Sequence, residues 1–251
     1  MPVILTRQSA GKNPFTIVYN LKSFFQNQID RLWPEPQSSF IAGLLYGSKR
    51  GMPDELLENF NRTGVTHIIA VSGFNVSIIA TYLMISLIYA GLKRPQAFWV
   101  AVFGVVFFVI FTGASASVVR AGIMGVVALI ARHIGRISKI GNILIFTVAL
   151  MSAINPYIII WDVGFQLSFL ATVGLVYLSP VVENVRGRGV LQYAPAYLVD
   201  PFISTISAII ATLPLILFQF GRFSVVAPIV NLLILWIIPW LMFFGFVTLV
   251  I

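Results

Sequence analysis

Six side chains have the type and placing to do chemistry: His67, Ser72, Asn75, Arg120, Asp162 and Gln166. Each lies in or beside a long apolar stretch, where an ionisable or amide group is costly and marks a pathway, a binding contact or a buried partner. Ser72, His67 and Asp162 are the residue types of a serine-hydrolase triad. The spacing argues against that chemistry. Ser72 stands in Ala70-Val71-Ser72-Gly73-Phe74 rather than Gly-x-Ser-x-Gly, and five residues on one helix set the His67 and Ser72 side chains roughly 140° apart. Arg120 and Asp162 each fall about one turn inside the end of an apolar segment, so an ion pair at equal depth is feasible and would let both charges be buried. Gln166, four residues after Asp162, shares its face. Without that pair, Arg120 becomes a contact for an anionic substrate. Ser72 and Asn75, with Gly73 between them, could unwind their helix locally and open backbone groups to a water-filled path, or simply bond to neighbouring helices.

The elements that carry these residues follow from composition. Charged residues make up 10% of the 251 and hydrophobic ones 59%, with a mean hydropathy of +0.95, which defines a multi-pass membrane protein. The fold expected is an all-α membrane helix bundle with about seven segments, at 65–90, 96–112, 116–132, 142–154, 158–178, 198–220 and 226–251. The fourth is short and suits a half-buried or re-entrant piece. Ahead of them, Phe15, Val18, Phe25, Ile29 and Leu32 recur at helical spacing among polar residues, giving an amphipathic surface helix over 14–33 that Pro34 and Pro36 end. Residues 38–47 are apolar but too short to cross, as a re-entrant or interfacial segment would be. Pro53, Asp54 and Glu55 then open a short helix that Gly64 follows. Two domains are expected: a tail and surface helix at 1–37, and the membrane domain at 38–251.

Charge fixes the expected orientation. Lys93 and Arg94, then Arg132, Arg136 and Lys139, then Arg186 and Arg188 fall at alternate loops, while the loops at 113–116 and 155–157 carry none. By the positive-inside rule the basic loops are cytoplasmic, which accounts for most of the net charge of +8 and makes a nucleic-acid reading of that charge unsafe. His133, beside Arg132, is expected at the solvated cytoplasmic end. The first residues, Met1 to Arg7, do not read as a signal peptide. There is no cysteine, hence no disulfide or thiolate metal site, and no Gly-x-x-x-x-Gly-Lys-Ser/Thr loop for ATP. Small residues form stripes: Thr66, Ala70, Gly73, Ser77 and Ala80; Ser117, Ala121, Gly125 and Ala128; Gly164, Ser168 and Ala171. They predict close helix packing. Pro214, Pro228 and Pro239 are expected to interrupt the last two spans, and Gln219 with Arg222 to add polar groups at the outer mouth. No internal repeat is visible, which counts against a small-molecule transporter.

Four ordered blocks carry a resemblance: Ala42-Gly43-Leu44-Leu45-Tyr46-Gly47-Ser48-Lys49-Arg50; Thr63 to Val76, containing His67, Ser72 and Asn75; Thr112-Gly113-Ala114-Ser115 through Arg120 to Met124; and Asn155-Pro156 leading to Asp162-Val163-Gly164-Phe165-Gln166-Leu167-Ser168-Phe169. A weaker echo follows in Ala211-Thr212-Leu213-Pro214, Gln219-Phe220-Gly221 and Asn231. Together they resemble the ComEC family of competence proteins. Members commonly have Ser-Gly-Leu-His where this chain reads Ser72-Gly73-Phe74-Asn75, and Gly-Asp-Arg where it reads Gly47-Ser48-Lys49. Members also often carry an oligonucleotide-binding domain before the channel and a metallo-β-lactamase-like domain after it. Neither is visible here, so the chain is expected to be the membrane core alone. The resemblance implies a multi-pass channel of the cell inner membrane that passes single-stranded DNA inward, with no catalysis and no cofactor. The partners it implies are the strand, the lipid bilayer, and separate DNA-delivery and motor proteins. Monomer and homodimer both stay open. Arg120, Asp162, Gln166, Ser72 and Asn75 are the expected path or gate residues, with His67 secondary. The alternatives are an intramembrane serine hydrolase and a small-molecule transporter.

Overall fold

A computed structural model describes residues 14–48, 51–69, 71–135, 139–186, 196–221 and 224–248, and all regular structure among them is helical. Ala70, Arg136, Arg188 and Arg222, named above, lie outside the described residues. The surface helix is present as α1, Pro14–Leu32. It is docked on the bundle: Ile29 is fully buried, and the Phe25 ring meets Phe111 edge-on at 5.5 Å. The short apolar stretch that follows is α2, Gln37–Tyr46, in which every residue from Ser38 to Tyr46 except Phe40 is buried. It is therefore enclosed by the other helices rather than laid on their outside. It packs against α1, and the absence of a side chain at Gly245 lets Ile41 and Leu45 close on the last helix. α3, Asp54–Thr63, has the expected acidic first turn and ends at Gly64 in the left-handed conformation, φ 75°.

The first expected span is two helices. α4, Thr66–Ile69, stops short of an extended Ser72 (φ −112°, ψ 173°), and α5, Gly73–Tyr89, starts again beyond it. The local unwinding foreseen around Ser72 and Gly73 is thus present, and it removes Thr66 from the small-residue stripe of the span. α6, Arg94–Thr112, α7, Ala116–His133, and α8, Ile140–Ile154, follow close to their expected bounds. His133 is exposed and stacks on Phe98 with centroids 4.2 Å apart, which brings the basic start of α6 to the basic end of α7.

The fifth segment is also broken. α9, Ile158–Trp161, ends at Asp162, α10 runs Val163–Val173, a π-helical turn covers Gly174–Leu178, and α11 spans Ser179–Arg186. α12, Ala196–Phe220, and α13, Ala227–Thr248, complete the bundle. Pro201 and Pro214 lie inside α12 and Pro239 inside α13, and both helices run through them. The expected interruptions therefore do not occur. A proline removes one N–H, here the partner of the Leu235 carbonyl four residues back, and packed neighbours can hold the helix across the gap; the Tyr82 hydroxyl of α5 ties α13 to its neighbour at this point by donating to the Pro239 carbonyl at 3.0 Å. Pro228 sits in the first turn of α13, where a missing N–H costs no in-helix bond.

Four stretches are long and apolar enough to cross a membrane: Arg94–Thr112, Ala116–His133, Val163–Glu183 and Val199–Phe220. α5, α8 and the Trp236–Thr248 part of α13 are apolar but shorter. Outward-facing rings such as Phe103 on α6 and Trp240 on α13 suit lipid contact, since there is no water for them to avoid in a bilayer. The architecture is an all-α membrane helix bundle.

Close approach of the fifth and sixth segments depends on Gly174. A Cβ there would lie 2.5 Å from the Ser207 carbonyl oxygen and 2.8 Å from the Ala211 Cβ, and backbone cannot move aside as a flexible side chain can. Gly174→Ala is expected to destabilise the folded protein by about 1–3 kcal/mol. Gly125→Ala, where a Cβ meets nothing within 4 Å, is expected to change it by less than about 1 kcal/mol. Thermal unfolding of the two purified variants in detergent compares them directly.

Candidate functional site

Arg120 projects from α7 toward α10 and is 5% exposed. Its Nε donates to Ser168 Oγ at 2.9 Å, Nη2 donates to the same oxygen, and Nη1 donates to Thr172 Oγ1 at 2.9 Å and to the Met124 sulfur at 3.1 Å. Every one of these partners is neutral. On its remaining side the guanidinium meets the start of α5: a Cβ on Gly73 would lie 3.5 Å from Nη2 and 3.4 Å from the Ala121 Cβ. Those are ordinary van der Waals distances, so the guanidinium packs directly against the start of α5.

The ion pair between Arg120 and Asp162 expected from the sequence is not formed. Arg62 and Glu58 do form an ion pair, on the exposed face of α3. The reason lies in the direction of the arginine side chain, which runs along its own helix to Met124, one turn on. It meets α10 at Ser168 and Thr172. These residues stand six and ten positions beyond Asp162, about 9 Å and 15 Å along the helix axis. Asp162 stays at the break between α9 and α10, where one carboxylate oxygen accepts from the Phe165 N–H at 2.7 Å as an N-cap. Gln166 serves the same break from the other side. Its amide nitrogen donates to the carbonyls of Ile159 and Ile160, both at 2.8 Å, satisfying the end of α9.

Ser72 and Asn75 belong to the other break. Asn75 is 2% exposed and donates to the Leu44 carbonyl at 3.0 Å, pinning the restart of the span to the end of α2. The Ser72 hydroxyl donates to the Asn75 side-chain oxygen at 3.3 Å and caps no α5 amide. That hydroxyl is bonded to Asn75 and not to His67, which stands exposed on α4. The structure therefore brings Gly73, Arg120, Ser168 and Thr172 together, and leaves His67 and Asp162 outside that group. Ser168 and Thr172 were missed as site residues, although a buried arginine needs acceptors and hydroxyls at i and i+4 on a facing helix can supply them.

Electrostatically the centre is one-signed. The guanidinium cannot shed its charge, and the first N–H groups of α5 add the positive end of a helix beside it. Nearer the start of α7, that helix, the start of α9 and the end of α8 enclose an open cleft of about 480 Å³. Val119, Ile123, Asn155, Tyr157, Trp161 and Asp162 line it. Ala114, also in its wall, holds a left-handed φ of 52° that a residue with a side chain seldom adopts. The cleft joins the two uncharged loops that the charge pattern assigns to one side.

The competence-protein family model matches residues 44–251, and the chain belongs to that family. It is 26% identical over 217 residues to ComE operon protein 3 of Bacillus subtilis (strain 168), a match covering 86% of this chain and 26% of that protein. The chain thus spans about a quarter of the length of that curated relative. No solved structure matches it.

The hydroxyl cradle makes a prediction opposite to that of an ion pair. Ser168→Ala is expected to lower stability by about 1.5–3 kcal/mol, as for hydrogen bonds to a charged group. Asp162→Ser, which keeps a capping oxygen, is expected to stay within about 0.5 kcal/mol of wild type. Were Arg120 held by Asp162, the order would reverse in the same unfolding measurement.

Proposed function

We propose that this chain forms the membrane path through which single-stranded DNA enters the cytoplasm during natural transformation. The observation that carries the reading is Arg120, a guanidinium buried at 5% exposure among neutral hydroxyls with no carboxylate beside it. A polyanion crossing an apolar layer needs groups that replace part of the phosphate hydration without trapping the strand. One unpaired cation with a helix end beside it meets that need, and a dense run of lysines would not. Membership of the competence family supports the same role, which is DNA uptake rather than catalysis.

In this reading residues 38–251 make the path and residues 1–37 lie at its outer edge, in the inner membrane. Asn75, Ser72, Asp162 and Gln166 act on the path by fixing the two helix breaks that frame it. The basic ends of α6 and α7 face the cytoplasm, and the cleft by α9 faces outward. Energy and delivery come from other proteins of the competence system. A hydrolase built on Ser72 finds no support in the geometry, because the Ser72 hydroxyl bonds to Asn75.

Uptake of labelled DNA into cells whose own copy is deleted tests the proposal. The deletion is expected to leave DNA bound outside with none inside, and wild type to restore internalisation. Arg120→Ala at equal protein level is expected to reduce internalisation roughly tenfold or more, while Arg120→Lys retains part of it because the charge survives and the forked geometry does not. Normal internalisation by the deletion strain would overturn the proposal.

A further inference from the structure

The cleft between α7, α8 and α9 has chemistry that neither the packing nor the Arg120 centre uses. Tyr157 and Trp161 are one turn apart, with the Trp161 N–H bonded to the Tyr157 carbonyl at 3.0 Å, and their side chains are 68% and 77% exposed. Two polar groups stand beside these rings. Asn155 uses its side-chain oxygen to accept from the Tyr157 N–H at 3.1 Å, which leaves its amide N–H₂ as a donor into the cleft. Asp162 spends one oxygen on the Phe165 N–H, and among the described residues its second oxygen accepts no hydrogen bond. The cleft therefore offers two aromatic faces, one donor and one anionic acceptor, in a volume of about 480 Å³. Small-ligand sites run from about 300 to 1,000 Å³.

Charge selects the occupant. A carboxylate repels phosphate, so the cleft does not fit the backbone of a nucleic acid. It fits a neutral planar heterocycle with an exocyclic amine, which stacks on an aromatic ring, donates to Asp162 and accepts from Asn155. The position suits the same partner. Val119 and Ile123 of α7 line the cleft, while Arg120, the residue after Val119, turns to α10. A base and its own phosphate can thus find opposite chemistry on adjoining faces of one helix. Resting on the DNA reading above, we infer that this cleft is a nucleobase-stacking subsite, with Trp161 as its main platform and Asn155 and Asp162 meeting the edge of the base.

The test uses the full chain in lipid nanodiscs and two end-labelled probes of equal length: oligodeoxyadenylate and an abasic strand with the same phosphates. Fluorescence anisotropy measures binding. Wild type is expected to hold the adenylate strand about tenfold more tightly than the abasic one. Trp161→Ala is expected to remove that preference while leaving abasic binding unchanged, which also shows that the variant is folded. Trp161→Phe, which keeps a ring, is expected to retain most of it. Should Trp161→Ala fail to fold, Tyr157→Ala takes its place with a partial loss expected. Equal binding of both probes by wild type, or an equal fall for both in Trp161→Ala, would overturn the subsite and make the rings an ordinary interfacial belt. The DNA path would survive that result if Arg120→Ala weakened both probes. Binding of neither probe by wild type would overturn the path and the subsite together.

Discussion

Keeping one guanidinium charged inside an apolar bundle is the constraint around which the rest of the centre is arranged. Even at mid-bilayer depth, deeper than the one turn inside α7 where Arg120 stands, arginine costs about 3 kcal/mol on insertion scales, and each hydrogen bond from a charged donor returns about 1.5–3 kcal/mol. The bonds of Arg120 to Ser168 and Thr172 are therefore enough to offset the cost without a counter-charge. That balance has a consequence for function. An adjacent carboxylate at about 4 Å would contribute roughly 4 kcal/mol at a surface-like dielectric, and a passing phosphate would have to displace it. Hydroxyls orient the arginine and leave its charge uncommitted.

The two broken spans keep the surroundings of that charge in place. At the first break Asn75 ties α5 to the Leu44 carbonyl, so the residue that abuts the guanidinium, Gly73, is fixed by a bond to a buried helix. At the second, Asp162 caps α10 and Gln166 holds the carbonyls of α9, which sets the register of the helix that presents Ser168 and Thr172. Three of the polar residues in these apolar segments, Asn75, Asp162 and Gln166, thus act through helix ends. Helix ends are where a membrane bundle has orphan backbone groups to satisfy, and irregular backbone is tolerated there only when protein or water meets it.

Much of this was legible in the chain. Apolar runs placed α6, α7, α8 and α13 within a few residues, though the fifth segment runs on to Arg186, and the Ser72-Gly73-Asn75 cluster marked the first break because three residues poor at sustaining a helix sit inside an otherwise apolar stretch. Other features depended on tertiary direction that spacing does not encode. Equal depth of Arg120 and Asp162 along their segments suggested a pair, yet a long side chain reaches a full turn along its helix, and its partners lay deeper. The burial of α2 on nearly every side needed α1 and α13, which its ten residues cannot announce. Pro214 and Pro239 read as breaks because a proline ends an isolated helix, whereas packed helices carry on through it. Tyr157 and Trp161 drew no notice because aromatic residues at a membrane interface are ordinary.

Separation of the two signs follows from these local duties. Asp162 faces a break where a backbone N–H claims one oxygen, so it has no reason to travel inward to Arg120. Arg120 has its hydroxyl cradle, so it has no reason to reach outward to Asp162. The result is an acceptor in the open cleft and a bare cation on the next face of α7, with neither cancelling the other. A nucleotide carries the complementary division, a neutral base with amine donors and an anionic phosphate joined by a short sugar. A site that kept Arg120 and Asp162 paired would present such a partner with no net charge to read. In the proposed path the unpaired arrangement would let this part of the bundle distinguish the two ends of the same unit, and it rests on two ordinary devices, an N-cap and a pair of helix hydroxyls.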